Sequence, residues 1–361
     1  MTNNIIELLD NEYLKREDLI TLLLANKDDS KIILKKAADI KEKYVGNKVY
    51  LRGLIEYSNI CRKNCYYCGI RASNKNTERY KLTDDEVLEA IDFALKNDYA
   101  SIVIQSGERN DKEFTDTISA LLAKIKQRTG GSLGITLSMG EQSEEIFKQW
   151  FELGATRYLL RIESSDRELY KKLHPDNDVH SYDLRINCLK ALKKIGYQVG
   201  TGVMIGLPFQ TIENLADDLI FFRDLDIDMC GMGPYIEHKD TPLYVHKDKL
   251  LPKIDRFNLT LKMVALLRII MKDINIAATT AMQTIDPQGR EKAIKVGSNV
   301  IMPNLTPLKY RENYLLYDEK PCVKEAADDC ASCIESRVHI AGAKIGYGEK
   351  GDSPHFKKRM E

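Results

Sequence analysis

Short apolar runs alternate with amphipathic stretches along most of this chain. Residues 15–45 carry charged and apolar positions at helical spacing, which predicts two amphipathic helices. After them come eight short, mostly apolar runs that predict strands. These runs are 49–57, 101–106, 134–138, 157–162, 199–205, 229–236, 275–281 and 299–303.

Helical patterns fill the spaces between the predicted strands. The first covers 83–97 and begins with Thr83 and Glu86, whose spacing is that of a capping box. The others lie near 113–128, 143–153, 182–195, 211–225, 256–272 and 287–296. Strands that alternate with helices predict a parallel sheet joined by right-handed crossovers.

Eight such units are enough to close a TIM-type barrel, and an open doubly wound sheet is the alternative. Polar residues follow the ends of many predicted strands, which favours the barrel, because an open sheet uses a single switch point for its site. The sequence thus predicts an α/β fold, a (β/α)8 TIM-type barrel over residues 48–310. N-terminal helices at 1–47 precede it, and an irregular C-terminal tail at 311–361 follows.

The charge balance limits the classes of partner. Lys plus Arg is 54 and Asp plus Glu is 54, so the net charge is zero, whereas a nucleic-acid binder usually carries a basic excess. The first residues lack the pattern of a signal peptide, and no apolar run approaches the ~18 residues of a membrane span. We therefore expect a cytoplasmic protein with no nucleic-acid or membrane partner, in which disulfides are disfavoured.

Six of the eight cysteines form two tight groups, and clustered cysteines in a reducing compartment favour metal or redox chemistry. The other two, Cys188 and Cys230, are expected to be small buried hydrophobic residues. The groups are Cys61, Cys65 and Cys68, hereafter the first cysteine group, and Cys322, Cys330 and Cys333, hereafter the tail cysteine group.

The first cysteine group has the spacing Cys-x3-Cys-x2-Cys, with Tyr67 before the last cysteine, and it follows the first predicted strand. Three thiolates can ligate three irons of a 4Fe-4S cube, which normally takes four. The fourth iron would then stay open for a ligand, as in catalytic metal sites. A zinc site is the alternative, but zinc usually takes four ligands in two halves.

Charged and small residues stand at the ends of the following strands. Gly107 and Glu108 end the second strand, where glycine permits close approach of the backbone and the carboxylate can accept from an ammonium group. In the fourth strand, alternation would put Arg161 and Glu163 on one face. A charged pair inside a barrel indicates either a ligand site or a buried salt bridge.

The first cysteine group resembles the radical S-adenosylmethionine (SAM) superfamily. In that superfamily the open iron chelates SAM, and an electron from the cluster cleaves SAM to a 5′-deoxyadenosyl radical. Strings along the whole predicted barrel further resemble the HydE family of FeFe-hydrogenase maturases. They are SNICRKNCYYCGIR, QSGE, RYLLRIES, MIGLPFQT, DTPL, AATTAM and NVIMPN.

The resemblance implies roles for individual residues. The first cysteine group would ligate the 4Fe-4S cluster. The tail cysteine group matches an accessory iron–sulfur site of some HydE members, a 2Fe-2S or 4Fe-4S cluster, with a zinc or vestigial site as the alternative. Contacts to SAM are implied for Gly107, Glu108, Ser138, Glu163, Arg185 and Met204. An internal substrate and anion cavity is implied around Thr136, Arg161, Thr279, Thr280, Met302, Tyr314 and Tyr317.

The implied activity is the processing of a small iron–cysteine carbonyl–cyanide synthon during assembly of the hydrogenase active site. The implied partners are this organometallic substrate, an electron donor such as flavodoxin or ferredoxin, and other hydrogenase maturation proteins. Ile162, Ser164 and Gln283 depart from the family pattern, which bears on fine substrate preference rather than on the reaction class.

Three other functions remain as alternatives. A methylornithine synthase-like mutase would use a similar barrel, but the tail cysteine group argues against it. A biotin synthase-like enzyme would ligate a second cluster inside the barrel, for which Cys188 and Cys230 are not a suitable set. A non-catalytic electron carrier would have no need for polar residues at so many strand ends.

Overall fold

The computed structural model describes residues 2–325 and 327–361, with the side chains of 2, 3 and 327–331 outside that description. Three helices come first, α1 (Thr2–Asp10), α2 (Arg16–Leu23) and α3 (Lys27–Tyr44). The last two are the helices predicted over 15–45, and α1 is an addition to them. Asn26 begins α3 because its side chain accepts hydrogen bonds from the backbone of Asp28 and Asp29 at 2.9 and 3.0 Å.

Twelve short strands follow in the described part of the chain. They are β1 (Lys48–Leu51), β2 (Gly53–Ser58), β3 (Ser101–Ser106), β4 (Gly134–Ser138), β5 (Arg157–Leu159), β6 (Gln198–Thr201), β7 (Met204–Ile205), β8 (Met229–Cys230), β9 (Gly233–Pro234), β10 (Asn275–Ile276), β11 (Val300–Ile301) and β12 (Lys344–Ile345). Seven of them form one parallel sheet in the order β10-β8-β6-β5-β4-β3-β2. This sheet is a curled half-barrel, as expected for an α/β chain of the predicted kind.

The β11 segment lies between the two edges of that sheet. It pairs with β1 through Tyr50↔Val300 and Leu51↔Ile301, and an isolated bridge continues the pairing at Leu54↔Asn304. On its other side, Val300 bridges to Ala277, just beyond β10. The main sheet is therefore connected at both edges to the same segment.

Helices cover the outside of the sheet. They are α4 (Asp84–Lys96), α5 (Lys112–Thr129), α6 (Glu144–Glu152), α7 (Arg167–Leu173), α8 (Tyr182–Ile195), α9 (Ile212–Leu225), α10 (Lys253–Ile270), α11 (Thr280–Ile285) and α12 (Gly289–Val296), with 3-10 helices at Asp178–His180 and Pro242–Lys249. The capping box predicted at the start of α4 is confirmed, because Thr83 and Glu86 each accept from the other's backbone N–H, at 3.3 and 2.9 Å. None of the described helices has both the length and the apolar character needed to cross a bilayer.

Several predictions of local structure are wrong. The strands predicted over 49–57, 199–205 and 229–236 are each divided into two, and the strand predicted over 157–162 ends at Leu159. The strand predicted over 275–281 ends at Ile276, and residues 280–285 form α11 with Thr279 as its N-cap. A run of Ala and Thr has no alternation of polar and apolar side chains to mark where the strand stops. The tail is also not irregular. It begins where α13 (Leu308–Arg311) ends, and it contains α14 (Ala327–Ile340), β12 and α15 (Pro354–Met360). Ile334 and Val338, four residues apart, bury the apolar side of α14.

The end of the tail closes the floor of the barrel, beneath the amino ends of the strands. β12 pairs with β1, and the backbone oxygen of Gly351 accepts from Asn275 Nδ2 at 2.9 Å. The fully buried Arg157 binds the carboxylate of Asp352, which also accepts from Gln198 Nε2 at 2.6 Å. Buried charges need such partners, so this floor is a polar layer held together by ion pairs and hydrogen bonds, and the opposite end of the half-barrel remains for chemistry.

Candidate active site

A cavity of about 330 Å³ lies at the carboxyl ends of the strands. This is the end at which TIM-type barrels place their sites. Its lining joins all three thiols of the first cysteine group to Cys322 and Cys333 of the tail cysteine group. Two cysteine groups more than 250 residues apart in the chain therefore line one space.

The loop of the first cysteine group follows β2 and is tied to three other parts of the chain. The backbone N–H of Arg62 donates to Glu108 O at 3.0 Å, that of Tyr66 to Leu173 O at 2.9 Å, and that of Gly69 to Leu316 O at 3.0 Å. A Cβ on Gly107 would lie 2.5 Å from the backbone oxygen of Ile60, so only glycine lets β3 end this close to the loop.

Burial dominates the chemistry of these thiols. It raises the pKa of Cys61, raises that of Cys65 to about 12, and raises that of Cys68 well above its usual range. Thiols in such surroundings ionise when a metal supplies the positive charge. The donor set therefore favours a metal group over free reactive cysteines.

The zinc alternative requires ligands that converge on one point. A zinc ion needs its ligands within ~2.3 Å of one point, and among the described residues no three His, Cys, Asp or Glu side chains stand close enough to share one ion. A cube takes one thiolate at each of three irons, so its ligands stand further apart. Three cysteines on one loop, all facing one cavity, would provide one thiolate for each of three irons and leave the fourth iron open.

A buried network of four charges supports the loop. Lys63 Nζ donates to Glu141 Oε2 at 2.7 Å, and Arg185 lies between Glu108 and Glu141 at 2.7 and 2.9 Å. Burial alone would raise the pKa of Glu108, but Arg185 and Lys63 lower it to about 2. Glu108 is therefore ionised and already bound to Arg185, which is itself one of the predicted SAM contacts.

Sequence reasoning did not assign Lys63 and Glu141 to the site. Lys63 lies within the cysteine motif, and Glu141 follows the end of β4 as Glu108 follows the end of β3. The signal available was this repetition of a Gly-Glu pair, 107–108 and 140–141, at neighbouring strand ends.

Arg161 and Glu163 meet in the cavity as a direct ion pair. Arg161 Nε and Nη2 donate to the two carboxylate oxygens of Glu163 at 2.7 and 2.8 Å, and the guanidinium also binds the backbone oxygens of Gly231 and Val203. The argument from alternation is wrong, because β5 ends at Leu159 and Glu163 has a left-handed backbone with φ of 64°. The salt-bridge alternative is what the structure contains, in a strained backbone of the kind found at functional sites.

Most of the other predicted site residues also face the cavity. Thr280 Oγ1 and the Tyr317 hydroxyl are 2.7 Å apart there, and Thr279 Oγ1 donates to Met232 O at 3.2 Å. The remaining lining residues of the predicted set are Gly107, Ser138, Met204, Met302 and Tyr314. Thr136 is the exception, because it lies outside the lining and below Ser138 on β4; its buried hydroxyl has no hydrogen-bond partner among the described residues.

The tail cysteine group contacts arginines. Arg290 Nη2 donates to Cys322 Sγ and Arg337 Nε to Cys333 Sγ, both at 3.3 Å. The side chain of Cys330 lies outside the described part of the chain. Metal binding by this group stays a prediction, whereas the expected burial of Cys188 and Cys230 is confirmed, at 4% and 2% exposure.

Comparison with known proteins agrees with the geometry of the first cysteine group. A sequence profile of the Radical SAM superfamily matches residues 55–222. The [FeFe] hydrogenase maturase subunit HydE of Thermotoga maritima is 46% identical over 343 residues, which cover 95% of each chain. The 3-methylornithine synthase of Methanosarcina barkeri is 27% identical, over 94% of this chain and 92% of that one.

A solved structure extends the comparison to the fold. The FeFe-hydrogenase maturase HydG from Carboxydothermus hydrogenoformans superposes with a TM-score of 0.81 over 96% of this chain and 79% of that one. Its sequence identity is 18%, so the match concerns the fold alone.

Proposed function

Since the chain belongs to the HydE family of [FeFe] hydrogenase maturases and is a radical SAM enzyme, we propose that it processes an iron–cysteine carbonyl–cyanide synthon during assembly of the hydrogenase active site. The observation that carries this proposal is the single cavity, which is lined by the first cysteine group and by polar residues such as Arg161 and Thr280. A recessed cavity of this kind limits the access of water and side reactions to a reactive carbon radical.

The first cysteine group would hold a 4Fe-4S cluster through three of its irons. When bound, the cluster supplies the electron that cleaves SAM to the adenosyl radical. The protein's part is to hold the loop, and the three backbone hydrogen bonds and the close approach of Gly107 support that role. The electron itself would come from a donor protein such as flavodoxin or ferredoxin.

SAM would lie beside the cluster, against Gly107, Glu108, Ser138, Glu163, Arg185 and Met204, all of which line the cavity. Glu163 is the strongest candidate for a direct contact, because a carboxylate offers about four acceptor positions and Arg161 takes two of them. Glu108 is less available for a contact to SAM, since it already forms ion pairs with Arg185 and Lys63. We therefore assign Glu108 and Arg185 chiefly to shaping the SAM site.

The substrate would occupy the rest of the cavity, bounded by Arg161, Thr279, Thr280, Met302, Tyr314 and Tyr317. Arg161 would attract an anionic ligand of the synthon. Thr136 would serve a group that reaches below Ser138, and its orphan buried hydroxyl supports this.

Two further features belong to the proposal. The bridges of β11 to both edges of the main sheet support a complete (β/α)8 ring. The tail cysteine group would hold an accessory iron–sulfur cluster that SAM cleavage does not need. Its position on a segment outside the strands supports a separate centre.

Anaerobic turnover tests the proposed function. The reconstituted protein is supplied with SAM, a reductant and either the synthon or lysine, and 5′-deoxyadenosine and the substrate-derived products are analysed by mass spectrometry. We expect the synthon, and not lysine, to be converted. Conversion of lysine to methylornithine would contradict the proposal and favour the mutase alternative.

A further inference from the structure

Six cationic side chains line the cavity, and they differ in how their charge is offset. Five of them lie within salt-bridge distance of a carboxylate, and Arg290 has no such partner in the described part of the chain. The five pairs are Lys63–Glu141, Arg161–Glu163, Arg185–Glu108, Lys320–Glu56 and Arg337–Glu291.

Arg290 is nonetheless deeply buried, at 3% exposure. Its Nε donates to Gln283 Oε1 at 2.7 Å, and its Nη2 donates to Cys322 Sγ at 3.3 Å. Gln283 is neutral, so it offsets the cost of a buried cation only in part. A thiolate at Cys322 would share its charge with the metal that the tail cysteine group is proposed to hold. Its third nitrogen, Nη1, has no hydrogen bond to the described residues.

Besides its two acceptors, Gln283 and Cys322, Arg290 has hydroxyl groups nearby. Its charge acts on Tyr317, whose hydroxyl is 2.7 Å from Thr280 Oγ1, and the same charge helps to moderate the pKa of Tyr317, which burial raises to about 12. The nearest carboxylate that also acts on Tyr317 is Glu56, and Lys320 already binds it at 2.5 Å. Arg290 and two hydroxyls thus line the cavity, and the carboxylate that also acts on Tyr317 is already paired with Lys320.

We propose that Arg290 binds the carboxylate of the substrate's amino-acid part, with Gln283 holding the guanidinium in position. A planar guanidinium with a free edge matches the two oxygens of a carboxylate. Within the hydrogen-bonded pair of Tyr317 and Thr280, one hydroxyl keeps a hydrogen that it can donate to the same group. The identity of the substrate rests on the proposed function, which gives it a cysteine part. A carboxylate held here lets the rest of the molecule extend along the cavity toward the first cysteine group.

The competing explanation is that Arg290 serves the tail cysteine group through Cys322. Arg337 provides a matched control, since it lines the same cavity and donates to a tail cysteine at the same 3.3 Å distance. It differs in having Glu291 as a carboxylate partner, at 2.7 Å. If contact with a tail cysteine were what matters, both arginines would behave alike.

The test compares two probes that differ by one carboxylate, S-methyl-L-cysteine and 2-(methylthio)ethylamine. Their dissociation constants are measured by calorimetry on the reconstituted protein with SAM present. The unaltered protein should bind the amino acid about tenfold or more tightly than the amine, as expected for a charge-assisted pair. Arg290→Met should bring this ratio close to one, Arg290→Lys should keep part of it, and Arg337→Met and Cys322→Ser should keep it.

The proposal is overturned if the ratio survives in Arg290→Met, if Arg337→Met or Cys322→Ser abolishes it equally, or if the unaltered protein does not discriminate. If Arg290→Met does not fold, Arg290→Lys still provides a test. A lysine variant that discriminates between the probes as strongly as the unaltered protein would show that the guanidinium is not needed, which contradicts the proposal. Binding requires no turnover. If the protein discriminates between the two probes but does not convert the synthon, the proposed function alone is contradicted. If it converts the synthon but does not discriminate between the probes, the carboxylate subsite at Arg290 alone is contradicted.

Discussion

The two cysteine groups line one cavity but are built differently. The first belongs to a loop that hydrogen-bonds to β3, α7 and the tail, and a buried network of Lys63, Glu141 and Arg185 lies beside it. The tail group belongs to a segment outside the strands, where Cys333 is exposed and Cys322 has a left-handed backbone with φ of 62°. The barrel elements thus hold the first cysteine group in place, whereas the tail cysteine group lies beside them. We therefore expect that substitutions in one cysteine group leave the other nearly unchanged.

The largest effect should come from removing the first cysteine group. Replacing Cys61, Cys65 and Cys68 by Ala leaves no thiolate for the cluster, so 5′-deoxyadenosine formation from SAM should fall to background under anaerobic conditions. The Ser variant of the tail cysteine group, purified and reconstituted in the same way, is the control. Residual full cleavage in the Ala variant would mean that the electron reaches SAM by another route.

The next effect is on stability, at the loop that carries Glu163. Asp218 on α9 accepts from the backbone N–H and the hydroxyl of Ser165 at 2.7 and 2.6 Å, and burial raises its pKa to about 7. Its pKa is about 4 when the chain is unfolded. A raised pKa stabilises the fold below that unfolded value, and this stability is lost as the pH rises through about 7.

Denaturant unfolding at a series of pH values between 4 and 8 measures this contribution. The free energy of unfolding should decline with pH by up to about 4 kcal/mol more in the unaltered protein than in Asp218→Asn. The asparagine variant is the control, because it keeps the shape and cannot titrate. Parallel pH curves for the two proteins would show that Asp218 is ionised throughout.

A smaller effect should separate the two members of the ion pair beside the first site. Glu163→Gln should weaken SAM binding by about tenfold or more, because a hydrogen bond to a charged group is lost. Arg161→Met should leave SAM binding nearly unchanged and stop turnover of the substrate. Equal loss of SAM binding in both variants would indicate one salt bridge that supports the SAM site, and cluster absorbance is the check on folding, since breaking a buried pair can cost about 3–5 kcal/mol.

The smallest effect should come from the tail cysteine group. Replacing Cys322, Cys330 and Cys333 by Ser should lower the iron content of the reconstituted protein and leave SAM cleavage within about twofold of the unaltered level. The reason is that the tail segment lies outside the strands and the loop that would hold the first cluster. A dead enzyme that keeps its first cluster would contradict the separation of the two sites.

The contrast between the first cysteine group and the tail cysteine group also explains how much of the molecule could be predicted from sequence. β3, β4 and α8 match the predicted ranges 101–106, 134–138 and 182–195. The two strands are short, almost continuously buried runs with clear ends, and α8 is marked by its helical periodicity. The first cysteine group could be predicted because its ligands are close in sequence. The tail was missed because α14 and β12 are stabilised by packing on the barrel, through Ile334, Val338 and the pairing with β1.

Partners distant in sequence could not be predicted either. The pairing of Arg185 with Glu108 and Glu141 joins α8 to the ends of β3 and β4, and no local pattern encodes it. The same holds for the turn at Glu163, whose positive φ overrides strand alternation. Arg290 shows most clearly what sequence cannot predict. It is distinguished by the lack of a carboxylate partner among the described residues, and only the folded chain reveals this.

Electron paramagnetic resonance of the reduced protein, recorded before and after addition of SAM, tests the central claim most directly. The claim is that the first cysteine group holds a cluster with an iron open to SAM. The spectrum of the unaltered protein and of the Ser variant of the tail cysteine group should change when SAM is added, and the Ala variant of the first cysteine group should lack that signal. A reduced-cluster spectrum that SAM leaves unchanged would contradict the account.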